Sequence, residues 1–245
     1  MRDRMLKTIL FLFLLSFPIT TAAHAQTLFD PEKWIREAEE AYAKVDSYTA
    51  IFHKQECVSG DLLEEETTFL KFKKPLKVYM KWIKAPYQGR ELIYVEGWNN
   101  NRMKVHEGGI MGLFTVNLDP KGSLVMRCSR HPVTDAGIGH LINIVGENIR
   151  KGIKANELKV IDHGVQRMYH RKTQKVEGIL SRDRATGYYG YRIVMNSDNE
   201  LKLPIKIQVY DWEDQLIESY GYENLRLNPG LTDFDFDPRN PEYKF

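Results

Sequence analysis

Cysteine is scarce in this chain of 245 residues: only Cys57 and Cys128 are present. Neither lies in a C-x-x-C pair. His53, His106, His131, His140, His163 and His170 form no H-E-x-x-H, so they read as scattered surface or strand residues and no metal site is expected. The G-x-S-x-G signature is absent as well, and no serine or cysteine occupies a nucleophile motif. Gly137-Ile138-Gly139-His140 lacks a third glycine and a preceding parallel-strand unit, which speaks against a dinucleotide or phosphate site and for glycine as a close-packing residue. Beyond the first 25 residues no apolar run approaches the ~20 residues that a spanning helix needs. Gly/Ser linkers, low-complexity tracts and repeats of solenoid length are missing too.

What is present begins with a leader. MRDRMLK is a basic head, ILFLFLLSF an apolar run, and Ala23-His24-Ala25 an A-x-A cleavage site before Gln26. This is the layout of a secretory signal peptide, the alternative being a retained anchor. No cysteine follows the cleavage point, so a lipid anchor is not expected. Residues 1–25 are read as the signal peptide and 26–245 as one soluble domain outside the cytoplasm. Cleavage removes Arg2, Arg4, Lys7 and Asp3, so Lys+Arg falls from 35 to 32 and Asp+Glu from 33 to 32. A formally neutral chain with interspersed charges gives no electrostatic case for nucleic acid. In an oxidising compartment Cys57 and Cys128 have the opportunity to pair, but sequence alone leaves that open.

A helix should open the mature chain, capped by Asp30 with Pro31 in its first turn and an apolar stripe of Trp34, Ala38, Ala41, Tyr42 and Val45. Short alternating segments follow: SYTAIFHKQEC, LLEEETTFLKFKK, LKVYMKWIK, RELIYVEG and RMKVHEGG, then SLVMRCSRHP as further extended structure. A second helix is expected in TDAGIGHLINIVGENIRKG, capped by Thr134 or Asp135, with Ile138, Leu141, Ile142, Val145 and Ile149 as its stripe. ELKVIDHG, VQRMYHRK, KVEGILSRD, YYGYRIVMNS, LPIKIQVYDW and LIESYGYENLRL return to strand. The expected fold is mainly β (α+β): one strongly curved antiparallel sheet or unclosed barrel of about 11–12 strands, with two or three helices covering or plugging its concave face.

Residues 69–82, FLKFKKPLKVYMKW, carry the strongest pattern. Leu70, Phe72, Val78, Met80 and Trp82 share one face, and Lys71, Lys73, Lys77 and Lys81 the other. With Ile93, Val95, Ile207 and Val209 they are the candidate wall of a cavity on the concave face; Met80 and Met111 would let it adapt its shape. Burying a 16-carbon acyl chain would gain ~12 kcal/mol gross at ~0.8 kcal/mol per CH₂, with no charged site required. The plainer alternative is that the helices fill the whole face. LTDFDFDPRNP reads as an amphipathic edge strand rather than a carboxylate site, and Tyr188, Tyr189 and Tyr191 as ordinary packing rather than a sugar platform.

The order of features resembles the periplasmic lipoprotein carriers of the LolA/LolB superfamily. The residues concerned are the S-Y-T-A-x-F-x-K-Q strand, Ser59-Gly60, Lys73-Lys74-Pro75, Val78 to Trp82, Glu91 to Gly97, and the closing LTDFDFDPRNP. Within that superfamily the chain is similar to domain of unknown function family 1571, through its G-x-E-x-I-Y-V-x-G run and its G-I-G-H-L-I helix start. The resemblance implies an unclosed barrel with an acyl-binding cavity and a helical lid that includes Ile138, Leu141 and Ile142. It makes Arg90 the counterpart of a basic residue near the cavity. A long insert between about Gly108 and Lys175 departs from the carriers.

The leading expectation is therefore a periplasmic carrier or chaperone, monomeric and without cofactor, whose partners are a lipid or acylated protein and an inner- or outer-membrane protein. The alternative is an envelope interaction or stress-sensor module without lipid cargo. A hydrolase using Asp233, Asp235 and Asp237 or His140 is a third, weaker reading.

Overall fold

The computed structural model describes residues 29–109 and 114–245; the leader and Met111 lie outside the described residues. Helix α1 (Pro31–Ala43) leads into β1 (Ser47–Val58), β2 (Asp61–Leu62), β3 (Glu66–Lys73), β4 (Lys77–Trp82), β5 (Glu91–Val95), β6 (Met103–His106) and β7 (Thr115–Leu118). A one-turn helix α2 (Ser123–Met126) and the long α3 (Ile138–Ala155) follow. The chain then returns through β8 (Lys159–Met168), β9 (Arg171–Ile179), β10 (Arg192–Asp198), β11 (Pro204–Tyr210) and β12 (Leu216–Leu227). All pairings are antiparallel, in the order β7-β6-β5-β4-β3-β1-β12-β11-β10-β9-β8 with β2 on β1. The ends β7 and β8 do not pair with each other, so the barrel stays open.

Helices α1 and α3 lie on the concave face. Asp30 caps α1 as its residue type predicts, accepting from the Lys33 N–H at 3.0 Å, and Trp34, Ile35 and Ala38 are buried. Helix α3 buries Ile138, Ile142, Val145 and Ile149. Its cap differs from the expectation: Thr134 and Asp135 belong to a separate 3-10 turn, and Gly137 caps the helix at φ 114°. The Ile138 N–H donates instead to the Tyr48 hydroxyl at 3.1 Å. A Cβ on Gly137 would stand 2.8 Å from Phe72 Cε2, and one on Gly139 would stand 2.3 Å from Tyr42 Cε1. Glycine is thus the condition for α3 to sit this close to the sheet and to α1.

Three other segments depart from the expected layout. Residues 123–126 are helical rather than extended. VQRMYHRK is not one strand, because Tyr169 and His170 take positive φ (48° and 62°) and turn the chain from β8 into β9. DFDF (Asp233–Phe236) is a 3-10 turn rather than an edge strand, and it packs on the convex face. There Phe236 joins Tyr79 and Ile93 in a second small core with Tyr243 and Phe245 around it. Lys71, on the face expected to be wet, is buried there and bonds to Asp235 at 2.8 Å.

Asp198 closes the β10 end of the sheet. It is 1 % exposed; its Oδ1 accepts from the Glu200 and Leu201 N–H groups at 2.8 and 3.0 Å, and Arg171 Nε donates to its Oδ2. Burial pushes its carboxyl up, but these hydrogen bonds win and hold it below the usual carboxylate range. Its stabilising contribution is complete above the unfolded pKa of about 3.9 and disappears as pH falls through the lower folded value. Asp198→Asn should cost about 1–3 kcal/mol at pH 7, and the gap to wild type should narrow as pH falls below the unfolded value of about 3.9. Urea unfolding across that range measures it; a gap independent of pH would show that the carboxylate's charge is not what matters.

Candidate ligand-binding cavity

Register fixes what faces inward. Phe72 pairs with Val78 and Leu70 with Met80 across β3 and β4, and Val78 and Met80 pair with Tyr94 and Leu92 of β5. These side chains share the concave face. Between them and the segment from Leu118 to Val145 lies a cavity of about 370 Å³. Leu70, Met80, Trp82, Ile207 and Val209 are on its wall, as the sequence pattern placed them, and so is Leu141 from α3. Phe72 and Val78 share their face but are packed in the core beneath α3, where Ile138 and Ile142 are buried as well.

Ile93 and Val95 require a correction. They pair with Tyr79 and Lys77 and belong to the convex cluster; Leu92 is the β5 residue on the cavity wall. The pairing left open for Cys57 and Cys128 is not formed here, where both thiols are free. Cys57 packs against the main core, while Cys128 lies on the cavity wall, where its sulfur faces the Tyr87 hydroxyl.

One end of the cavity is polar. Lys54 and Glu56 continue the inward parity of Tyr48, Ala50 and Phe52 along β1, and they meet Glu66 of β3 and Glu218 of β12. Glu56 and Glu218 are only 3 % and 2 % exposed. Glu56 accepts from the Arg130 N–H at 2.8 Å, Ser129 Oγ at 3.0 Å and the Tyr220 hydroxyl at 2.5 Å. Glu218 accepts from Arg130 Nε at 2.7 Å, His131 Nε2 at 2.9 Å and the Tyr189 hydroxyl. Glu66 takes the Trp82 indole N–H at 2.6 Å and lies 3.2 Å from Lys54 Nζ.

These contacts set the charge states. Burial pushes the Glu56 carboxyl up, yet Lys54 and its hydrogen bonds bring it below the ordinary value. Burial lowers the Lys54 ammonium, but Glu56 and Glu66 raise it further than burial lowers it. Burial also lowers His131, and the bond to Glu218 more than restores it. Burial and the neighbouring Glu218 and Glu56 push the Tyr220 phenol far up, so it stays a proton donor. Arg90 stands at the wall with its guanidinium 4.0 Å from the Tyr87 ring centre and Nε 2.9 Å from Glu107 Oε2.

His131, Asp135 and His140 also converge at the cavity, each offering a ligand atom within 4.8 Å of the others. In sequence they are spaced H-x₃-D-x₄-H, which matches no motif; the turn Val133–Asp135 and the start of α3 bring them together.

The model of the family described as "Protein of unknown function (DUF1571)" matches residues 45–245. The chain belongs to that family. No curated protein sequence matches this DUF1571 protein. Among solved structures it is similar to the Mycobacterium tuberculosis lipoprotein LppX, with TM-score 0.51 and 12 % identity over 84 % of this chain and 98 % of LppX. MucB gives TM-score 0.47 and 14 % identity over 85 % of this chain and 62 % of MucB. The LolA superfamily protein NE2245 from Nitrosomonas europaea gives 0.35 and 10 % over 85 % and 98 %. The chain therefore spans about three-fifths of MucB. The LppX match is a likeness of fold, and it agrees with the open antiparallel barrel that the strand order shows.

Proposed function

We propose that this DUF1571 protein is a carrier or chaperone of the cell envelope that holds the acyl chains of a lipid or lipoprotein non-covalently in its concave cavity. The observation that carries the reading is the cavity itself. Its 370 Å³ lies within the roughly 300–1,000 Å³ of small-ligand pockets. Its body is Leu, Ile, Val, Met and Phe, and its one polar end suits a chain with a headgroup. Helix α2 places Leu124 on the wall while leaving it 62 % exposed, an apolar rim of the kind that meets a membrane or an acylated partner. A cavity of this size supports the carrier reading over an interaction or stress-sensor module without lipid cargo. The signal-peptide pattern of residues 1–25 supports a periplasmic location, where its partners would be the cargo and a membrane protein that accepts it.

Native mass spectrometry of the chain from Gln26 onward, purified from a bacterial periplasm, tests this. Phospholipid or acyl mass at one equivalent per folded chain is expected. A clean apo mass that also rejects added lipid would remove the carrier reading and leave an interaction module.

A further inference from the structure

We propose that His131, Asp135 and His140 form a binding site for a divalent first-row transition metal, best suited to Zn²⁺, at the polar end of the cavity. Two imidazoles and a carboxylate are the donor set of open zinc sites, in which three protein ligands leave a fourth position for water or another ligand. The three ligand atoms lie within 4.8 Å of one another. Zinc bonds of 2.0–2.2 Å in a tetrahedron set ligand atoms about 3.4 Å apart, so closure takes side-chain rotation of about an ångström and no rearrangement of the fold.

Two details point the same way. Glu218 bonds to His131 Nε2 at 2.9 Å, which leaves Nδ1 as the ring nitrogen that faces Asp135 Oδ2, 3.9 Å away. This carboxylate–histidine arrangement is the outer support that metal-binding imidazoles ordinarily have. His140 Nε2 is buried with no hydrogen-bond partner among the described residues, an unmet need that a metal would satisfy. Asp135 is held in turn by the Thr134 hydroxyl at 3.0 Å. Charge also fits, since the buried Glu218 carboxylate backs His131 and is balanced in part by the Arg130 guanidinium.

The site would join two elements otherwise linked only by irregular chain: the segment from His131 to Asp135, tied to the sheet through Glu218, and the first turn of α3. A bound metal would pin that segment beside the cavity. None of this depends on what the cavity carries.

The test uses the untagged chain from Gln26 onward, which contains every described residue, stripped with a chelator. Calorimetric titration with Zn²⁺ should give one equivalent and a raised melting temperature, and Co²⁺ should give the intense visible bands of low coordination. His140→Ala and Asp135→Asn should each weaken binding more than about tenfold while keeping the chelated protein's melting profile. Asp135→Asn, being isosteric, serves if the histidine variant fails to fold. Absence of saturable binding in the wild type, or equal binding in a folded variant, would overturn the site.

Discussion

Met80→Glu should empty the cavity and leave the chain folded, whereas Val78→Glu should prevent folding. The two residues are neighbours on the inward face of β4, and sequence pattern alone treats them alike. In the fold they part. Met80 is half-buried on the cavity wall between Leu70 and Leu92, where a carboxylate has space and water. Val78 is wholly buried, between Phe72 and Tyr94 under α3. An unpaired charge there costs several kcal/mol, a large part of the 5–15 kcal/mol that holds a domain together. In the wall, the same charge would face the proposed acyl chain, whose burial is worth ~0.8 kcal/mol per CH₂, and would have to lose its water to admit it. Circular dichroism reads the fold, and native mass spectrometry the cargo. Wild-type lipid content in Met80→Glu would mean the cavity is not the binding site. A stable Val78→Glu would mean the packing under α3 is looser than described.

The second large effect is expected at Gly137, where alanine should cost about 2–6 kcal/mol. Part of that is backbone: at φ 114° and ψ 159° the residue occupies a region only glycine visits freely, worth about 1–3 kcal/mol. The rest is steric. The added methyl would lie 2.8 Å from Phe72 Cε2 and 3.1 Å from the Tyr48 hydroxyl, and those rings stack at 4.9 Å in a full core, so overpacking adds about 1–3 kcal/mol. Gly97 is the control, with φ 78° and nothing within 4 Å of the added carbon; alanine there should cost only about 1–2 kcal/mol. Urea unfolding compares them. Equal losses would show that α3 does not depend on the close approach.

The sequence made the fold legible because its signals were local and redundant. Alternation in β3 and β4, the Asp30-Pro31 start of α1 and the α3 stripe each reported one element independently. It misplaced Ile93 and Val95 for a physical reason: Leu92, Ile93, Tyr94 and Val95 are apolar without a break, since β5 is covered on both sides, and parity cannot be read where both faces are dry. The covering agent, the C-terminal DFDF turn, looked like an edge strand because alternating charge and ring is the same pattern whether the charges meet water or Lys71 and Lys77. The polar end of the cavity was hidden by the converse effect. Lys54, Glu56 and Glu66 are charged residues at inward positions, and only the pairing of β1 with β3 and β12 shows that they meet. The histidine and aspartate ligands were hidden because their convergence is made by a turn and a helix start, not by spacing.

The tail beyond Leu227 sets the mechanics of the barrel. By seating Phe236 and Tyr243 on Tyr79 and Ile93, and Asp233 and Asp235 on Lys77 and Lys71, it splints strands β3 to β5 from outside. A splinted arm keeps its curvature, so it acts as an anvil against which the rest must move. Volume for a larger guest would then be expected from the opposite arm, β8 to β11, rather than from β3 to β5.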